Sequence, residues 1–182
     1  MANWCSFTMM LVGAPQQVEL LTNQLAEAME NGSSPFHGYV VVYSVDRSSY
    51  PERSNGDKQV CITGSALHSC YAVFVEPDSV DTASEADMGT SLITYARELG
   101  ISAEIFSREP AFCFAEHIVI TPDTCTNEER SYEELTFIKD NGEYESFDEF
   151  KQKYDLPDSL SENDLEDGIY IEGGFDESTW TI

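Results

Sequence analysis

The chain has 182 residues, with 34 Asp and Glu against 9 Lys and Arg, giving a formal net charge of −25. Such a charge repels free nucleic acid and anionic membranes, and it attracts proteins whose surfaces bind phosphate. At 41% hydrophobic and 12% aromatic residues the chain can bury a core, so the acidity does not imply global disorder.

No run of 18 apolar residues predicts a membrane span. The opening Met1-Ala2-Asn3-Trp4-Cys5 has neither a basic region nor a cleavable apolar stretch, which predicts a cytoplasmic protein without a signal peptide. Cys5, Cys61, Cys70, Cys113 and Cys125 are odd in number and form no C-x-x-C. They read as reduced, mostly buried thiols rather than as a zinc site.

In chain order, Trp4 to Val12 reads as a strand ended by Gly13, and Pro15 stands at a natural first helical position. Val18, Leu21, Leu25 and Met29 recur at helical spacing, predicting an amphipathic helix over 15–30 closed by Asn31-Gly32. Phe36 to Val45 is aromatic and β-branched, a second strand. Ser48 to Asp57 is a polar loop, and Gln59 to Thr63 a third strand. Ser65 to Val75 leans to a helix leaving Gly64. Ser79 to Asp87 is polar, with Ser84 a candidate cap for a helix over 85–99 that Gly100 stops. Ile101 to Phe106 and Phe112 to Ile120 are strands, with Arg108 at the turn between them.

From Asp123 to Ile182 there are 19 acids and 4 bases, a net charge of −15 in 60 residues. Leu135 to Phe147 reads as a hairpin around Asn141-Gly142. Ser146 is placed to cap a short helix through Tyr154 that Leu156-Pro157 breaks. Ile169 to Ile171 is a short strand, and Trp180 is a candidate anchor for the tail. The punctuation by Phe137, Tyr144, Phe147, Phe150, Tyr154, Ile169 and Trp180 predicts a folded extension rather than a solvated tail.

Strand–helix–strand followed by strand–helix–strand is the pattern of a split βαβ sandwich. The expected architecture is α+β: a ferredoxin-like antiparallel sheet over residues 1–122 with helices on one face. An acidic α/β extension over 123–182 packs on it.

The opening Met1-Ala2-Asn3-Trp4-Cys5-Ser6, followed by a strand, Gly13 and a helix, resembles a family of phage and plasmid proteins that begin Met-x-Asn-Trp-Cys. Ile62-Thr63-Gly64-Ser65-Ala66-Leu67-His68-Ser69-Cys70 is similar to a middle segment of that family, with His68 where a Trp is expected. Phe106-Ser107-Arg108-Glu109-Pro110 through Phe114-Ala115-Glu116-His117 is similar too, with Ala111 where a Gly often follows the Pro. The resemblance covers about the first 120 residues and implies a ferredoxin-like fold and a mobile-element origin, without an activity. In overall character, a small and very acidic mobile-element protein with a private extension also resembles an anti-CRISPR protein acting on type II (Cas9) systems.

Phosphate-cradling glycine loops are absent from the sequence. The nearest calcium-loop candidate, Asn163 to Gly168, fails because Leu165 occupies a ligand position. No metal or cofactor is implied. Three histidines exist, His37, His68 and His117. Glu116 and His117 are neighbours on a strand and point to opposite faces, so they do not pair with each other. A histidine pair with a carboxylate would suit RNA cleavage by general acid–base catalysis, which makes His37, His68, Glu116 and His117 the catalytic candidates. So acidic a chain would need its partner to hold the RNA. Arg47, Arg53 and Lys58 are interleaved with Asp46, Glu52 and Asp57 and make no nucleic-acid patch.

The expected function is inhibition of a host defence nuclease such as Cas9 or its guide-RNA complex, in the cytoplasm of a bacterial host. The partner would be a protein with a basic nucleic-acid-binding surface, with no direct binding to free nucleic acid or membrane. Candidate partner-facing acids are Asp148, Glu149, Asp164, Glu166, Asp167, Glu172, Asp176 and Glu177. The alternatives are a partner-dependent ribonuclease that truncates the guide, and a protein binding another host protein or a small ligand.

Overall fold

The computed structural model describes residues 4–31, 35–36, 40–48, 52–67, 69–75, 90–137, 146–165, 169–175 and 180–182. The described strands are β1 (Trp4–Gly13), β2 (Val40–Asp46), β3 (Lys58–Leu67), β4 (Ser102–Glu109), β5 (Phe114–Ile120), β6 (Cys125–Thr136) and β7 (Ile169–Gly173). The helices are α1 (Pro15–Asn31), α2 (Cys70–Phe74), α3 (Leu92–Leu99) and α4 (Phe147–Tyr154). The strand order is β2-β3-β1-β4-β5-β6-β7, and every ladder with a defined register is antiparallel.

This overturns the expected ferredoxin-like sheet with helices on one face and an acidic extension outside it. The sheet runs on to seven strands, while three of the four described α-helices have only five or eight residues. The sequence between Asp123 and Thr136 is charged and polar and lacks the apolar alternation that marks a strand. It forms a strand whose residues are mostly exposed, with Tyr132 and Leu135 buried.

The chain divides into two compact units, Met1–Arg130 with Phe175–Ile182, and Ser131–Gly174. In the first, strand alternation sorts β1 into two faces. Cys5, Phe7, Met9 and Leu11 enter the main core with Ile62, Ile105 and Ile118. Val18, Leu21 and Leu25 of α1 join them at the predicted spacing, whereas Met29 is exposed. Phe74 sits edge-on between Phe7 and Phe36, at 5.3 and 5.0 Å between ring centroids. Each such pair adds about 1 kcal/mol beyond the area it buries.

Several boundaries differ from expectation for readable reasons. The helix leaning over Ser65–Val75 is a strand as far as Leu67, because Gly64 to Leu67 continue the ladder opposite Trp4 to Phe7. Only Cys70–Phe74 is helical, started by Ser69, whose side chain accepts from Ala72 N–H. Arg108 lies inside β4 rather than at a turn; the turn is at 110–113. Helix α3 begins at a Ser91 cap and ends on Gly100 in the left-handed region, φ 66°. The Ser84 cap falls outside the described residues.

The second unit has a small core of Leu135, Phe150 and Leu156, flanked by Phe137, Phe147 and Tyr154. Ser146 caps α4 as predicted, accepting from Glu149 N–H. Leu135 and Thr136, expected in a hairpin with the segment ending at Phe147, pair instead with Tyr170 and Ile169. Phe147 opens α4, and residues 138–145 lie outside the described set.

Candidate functional site

The densest polar arrangement lies on β4 and β5. Ala103, Ile105 and Ser107 face the main core, so Glu104 and Phe106 face the other side of the sheet. Phe106 is in register with His117, and the two rings stack at 4.5 Å with 7° between planes. His117 Nε2 then lies 2.7 Å from Glu104 Oε1. Glu104 is fully buried.

The chain's last residues close over this carboxylate. Thr181 N–H donates to Oε2 at 2.5 Å, Ile182 N–H to Oε2 at 3.1 Å, and Thr181 Oγ1 to Oε1 at 2.9 Å. Arg53 donates to the Ile182 carbonyl. Trp180 lies 5.2 Å from Phe106, and Phe175 5.4 Å from His117. The Arg130 guanidinium covers the Phe175 ring at 4.4 Å. Trp180 thus anchors the tail as its sequence position predicted.

Glu116 faces the opposite side of the sheet, also fully buried. It accepts from Ser69 Oγ at 2.6 Å, Cys70 N–H at 2.8 Å, Tyr71 N–H at 3.3 Å and Ser107 Oγ at 2.8 Å. A carboxylate on two orphan amides at a helix start is a capping arrangement, and it fixes α2 to β5. Four donors occupy the group. Burial pushes the neighbouring Cys70 thiol well up, aided by Cys5 and by the Glu116 charge.

The four catalytic candidates are therefore not brought together among the described residues. Glu116 and His117 serve opposite faces, and His37 and His68 lie outside the described set. The carboxylate that does meet His117 is Glu104, which sequence reading passed over. The available signal was alternation: in Ala103-Glu104-Ile105-Phe106 an acid shares a face with a Phe. Among the described residues no group of three or more His, Cys, Asp or Glu could hold a metal ion. Cys5 and Cys70 are buried as expected, Cys61 and Cys125 partly so, and Cys113 is exposed.

The acid candidates lie in a different setting. In the second unit Asp148 and Glu149 open α4 and are exposed, where carboxylates favour the helix N-terminus. Around α4 lies an open depression of about 590 Å³, lined in part by Asp148, Glu149, Asp155 and Asp158, with Lys151 beside them. Lys151 Nζ reaches Asp148 Oδ1 at 3.3 Å and the Asp158 carbonyl at 3.3 Å. Asp164 is exposed and turned back on Ser161, accepting from its Oγ at 2.7 Å and its N–H at 2.8 Å. Those bonds hold its carboxyl below the usual range. In β7, Glu172 stands opposite Glu133 in register. Glu166, Asp167, Asp176 and Glu177 lie outside the described residues.

Comparison with known proteins adds no name: no protein family, curated protein or solved structure matches the chain. Among the described residues no helix is long and apolar enough to cross a membrane.

Proposed function

We propose that this chain is a mobile-element inhibitor of a host defence nuclease, an anti-CRISPR protein that engages Cas9 or its guide-RNA complex through an acidic, phosphate-mimicking surface. The observation that carries this reading is the α4 depression with its four exposed acids. It is concave, anionic and set on a capped helix, which suits an Arg or Lys side chain that otherwise holds phosphate. Residues Ser131–Gly174 hold 14 acids against 3 bases, a net charge of −11 over 44 residues. The resemblance of residues 1–120 to phage and plasmid proteins supports the mobile-element origin and a bacterial cytoplasm as the place of action.

The test is binding to a Cas9–guide complex across a salt series, with competition by DNA. Affinity that falls steeply with salt and is lost to DNA competitor supports mimicry. Affinity unchanged from low to high salt sinks it.

A second reading, a ribonuclease acting on partner-held guide RNA, draws on the 2.7 Å His117–Glu104 contact. A carboxylate that orients a histidine is the usual partner of a general base. Against it, both Glu104 oxygens also accept bonds from Thr181 or Ile182, and Phe106 covers one face of the imidazole. A denaturing gel of the guide separates the readings: an intact guide favours mimicry, a shortened one cleavage.

A further inference from the structure

Trp180, Thr181 and Ile182 sit on the sheet of the first unit as a ligand would. None of the three is among the residues of the main core. Thr181 is exposed, and Trp180 and Ile182 are only partly buried. The groups that receive them are placed without them. The β1–β4 ladder sets Glu104 opposite Met10, and the β4–β5 ladder sets Phe106 opposite His117. Upstream, Gly173 and Gly174 both have positive φ, 90° and 73°. Glycines there absorb a change in chain direction without steric cost.

The contacts are of the kind that read an extended peptide. Two successive backbone N–H groups, of Thr181 and Ile182, converge on Glu104 Oε2, and the Thr181 hydroxyl donates to Oε1. Successive amides aimed at one anion form a nest, and bonds to a charged acceptor are about twice as strong as neutral ones. Arg53 donates to the Ile182 carbonyl. The Trp180 ring lies against Phe106, which stacks on His117. Main-chain bonds supply affinity whatever the sequence, and side-chain contacts supply selectivity.

We propose that this β4–β5 face is a docking groove for an extended segment of a partner protein, and that residues 180–182 are a strap that fills it in cis. The segment recognised carries an aromatic residue, then Thr or Ser, then an aliphatic residue. The strap itself displays the chemistry that the groove accepts. A second copy has the same strap, but two chains of −25 repel each other. A tethered segment acts at an effective concentration of about millimolar, so the strap keeps weak ligands out and a partner has to outbind it. The groove lies in the first unit, and its failure would leave the proposed function standing.

The test is fluorescence anisotropy with the labelled peptide Ser-Thr-Trp-Thr-Ile, the sequence of residues 178–182. In the whole chain, Thr181→Pro removes one amide and the hydroxyl from the strap. That variant binds the peptide saturably, about tenfold or more tighter than the parent chain. Adding Glu104→Gln weakens the peptide by about tenfold. Two altered peptides, with Pro for the second Thr or Gly for the Trp, lose about as much on Thr181→Pro alone, a measurement that does not depend on Glu104→Gln folding. Phe for Trp, or Val for Ile, stays within a few-fold. No saturable binding, equal affinity of parent and Thr181→Pro, or indifference to Glu104→Gln or to the altered peptides overturns the proposal. So does self-association of the parent chain that Glu104→Gln abolishes, which would make a second copy the occupant.

Discussion

Glu104 and His117 meet at 2.7 Å because they are diagonal neighbours on one face of the β4–β5 ladder. His117 pairs with Phe106, and Glu104 lies two residues before it, within reach for long side chains. The same carboxylate accepts from Thr181 and Ile182. One buried acid thus joins the sheet to residues 77 and 78 positions away in sequence.

Glu104→Ala strands two amides, a hydroxyl and an imidazole nitrogen. Orphaned buried donors cost about 1–3 kcal/mol each, less where water can reach them, and Thr181 is exposed enough for water to do so. The expected loss is about 3 kcal/mol in urea unfolding, with Trp180 becoming more solvent-exposed by fluorescence. Glu104→Gln retains an acceptor oxygen and loses less. A Glu104→Ala variant as stable as the parent would show that the tail contacts contribute nothing.

Glu116→Ala tests the second buried carboxylate. It removes the acceptor of the Cys70 and Tyr71 amides and of two serine hydroxyls. A cost of about 3 kcal/mol is expected, with faster hydrogen exchange confined at first to α2. Uniform exchange across α2 and β5 alike would mean that the two elements do not depend on this contact.

Gly64 is a place where only glycine fits. A Cβ there would stand 2.4 Å from the Val41 carbonyl oxygen and 2.7 Å from Phe7 Cζ. The first clash is with the backbone of the edge strand β2, which cannot rotate away. Gly64→Ala is expected to cost about 2–3 kcal/mol and to loosen β2 first, seen as lost amide protection over Val40–Asp46. Full protection in β2 would refute the clash.

Thiol chemistry should follow burial. Cys113 is exposed, whereas Cys5 and Cys70 are buried. Burial foremost pushes the Cys70 thiol well up, and it raises Cys125 as well. Labelling of the folded chain at mildly alkaline pH should modify Cys113 first and Cys70 only on unfolding. The sign of the pH effect follows. The unfolded Cys70 thiol ionises from about pH 8.5 while the folded one stays neutral, so its contribution is complete below that pH. It is lost as pH rises further. Cys70→Ala should flatten that part of the alkaline decline.

Local rules made elements of both units legible. Pro15 and the Val18, Leu21, Leu25 spacing give α1, Ser146 gives α4, and Gly100 ends α3. What escaped reading was long-range. Whether Gly64 to Leu67 turn helical or extend depends on β1 offering ten paired positions, which no local window shows. β6 escaped because an exposed strand lacks the apolar alternation by which strands are recognised. At the site, Glu116 was found because it adjoins His117 in sequence. Glu104 was not, since its partners are a residue on the next strand and two at the far end of the chain.

The acidity itself carries a last prediction, one that separates a functional charge from a merely soluble one. In β6 and β7, Glu133 stands opposite Glu172 in the backbone register. The chain at −25 also repels itself when compact. Added salt should therefore raise the thermal midpoint by screening. Asp148→Asn with Glu149→Gln should do otherwise, since both acids favour the start of α4. That pair is expected to lose up to about 1 kcal/mol, together with affinity for the Cas9–guide complex. Calorimetry and a binding assay on the same variants decide the matter. Removing acid at α4 weakens partner binding if the depression is the docking surface. If binding survives there and falls only with total charge, the acids act as a diffuse field and the α4 depression is not a specific site.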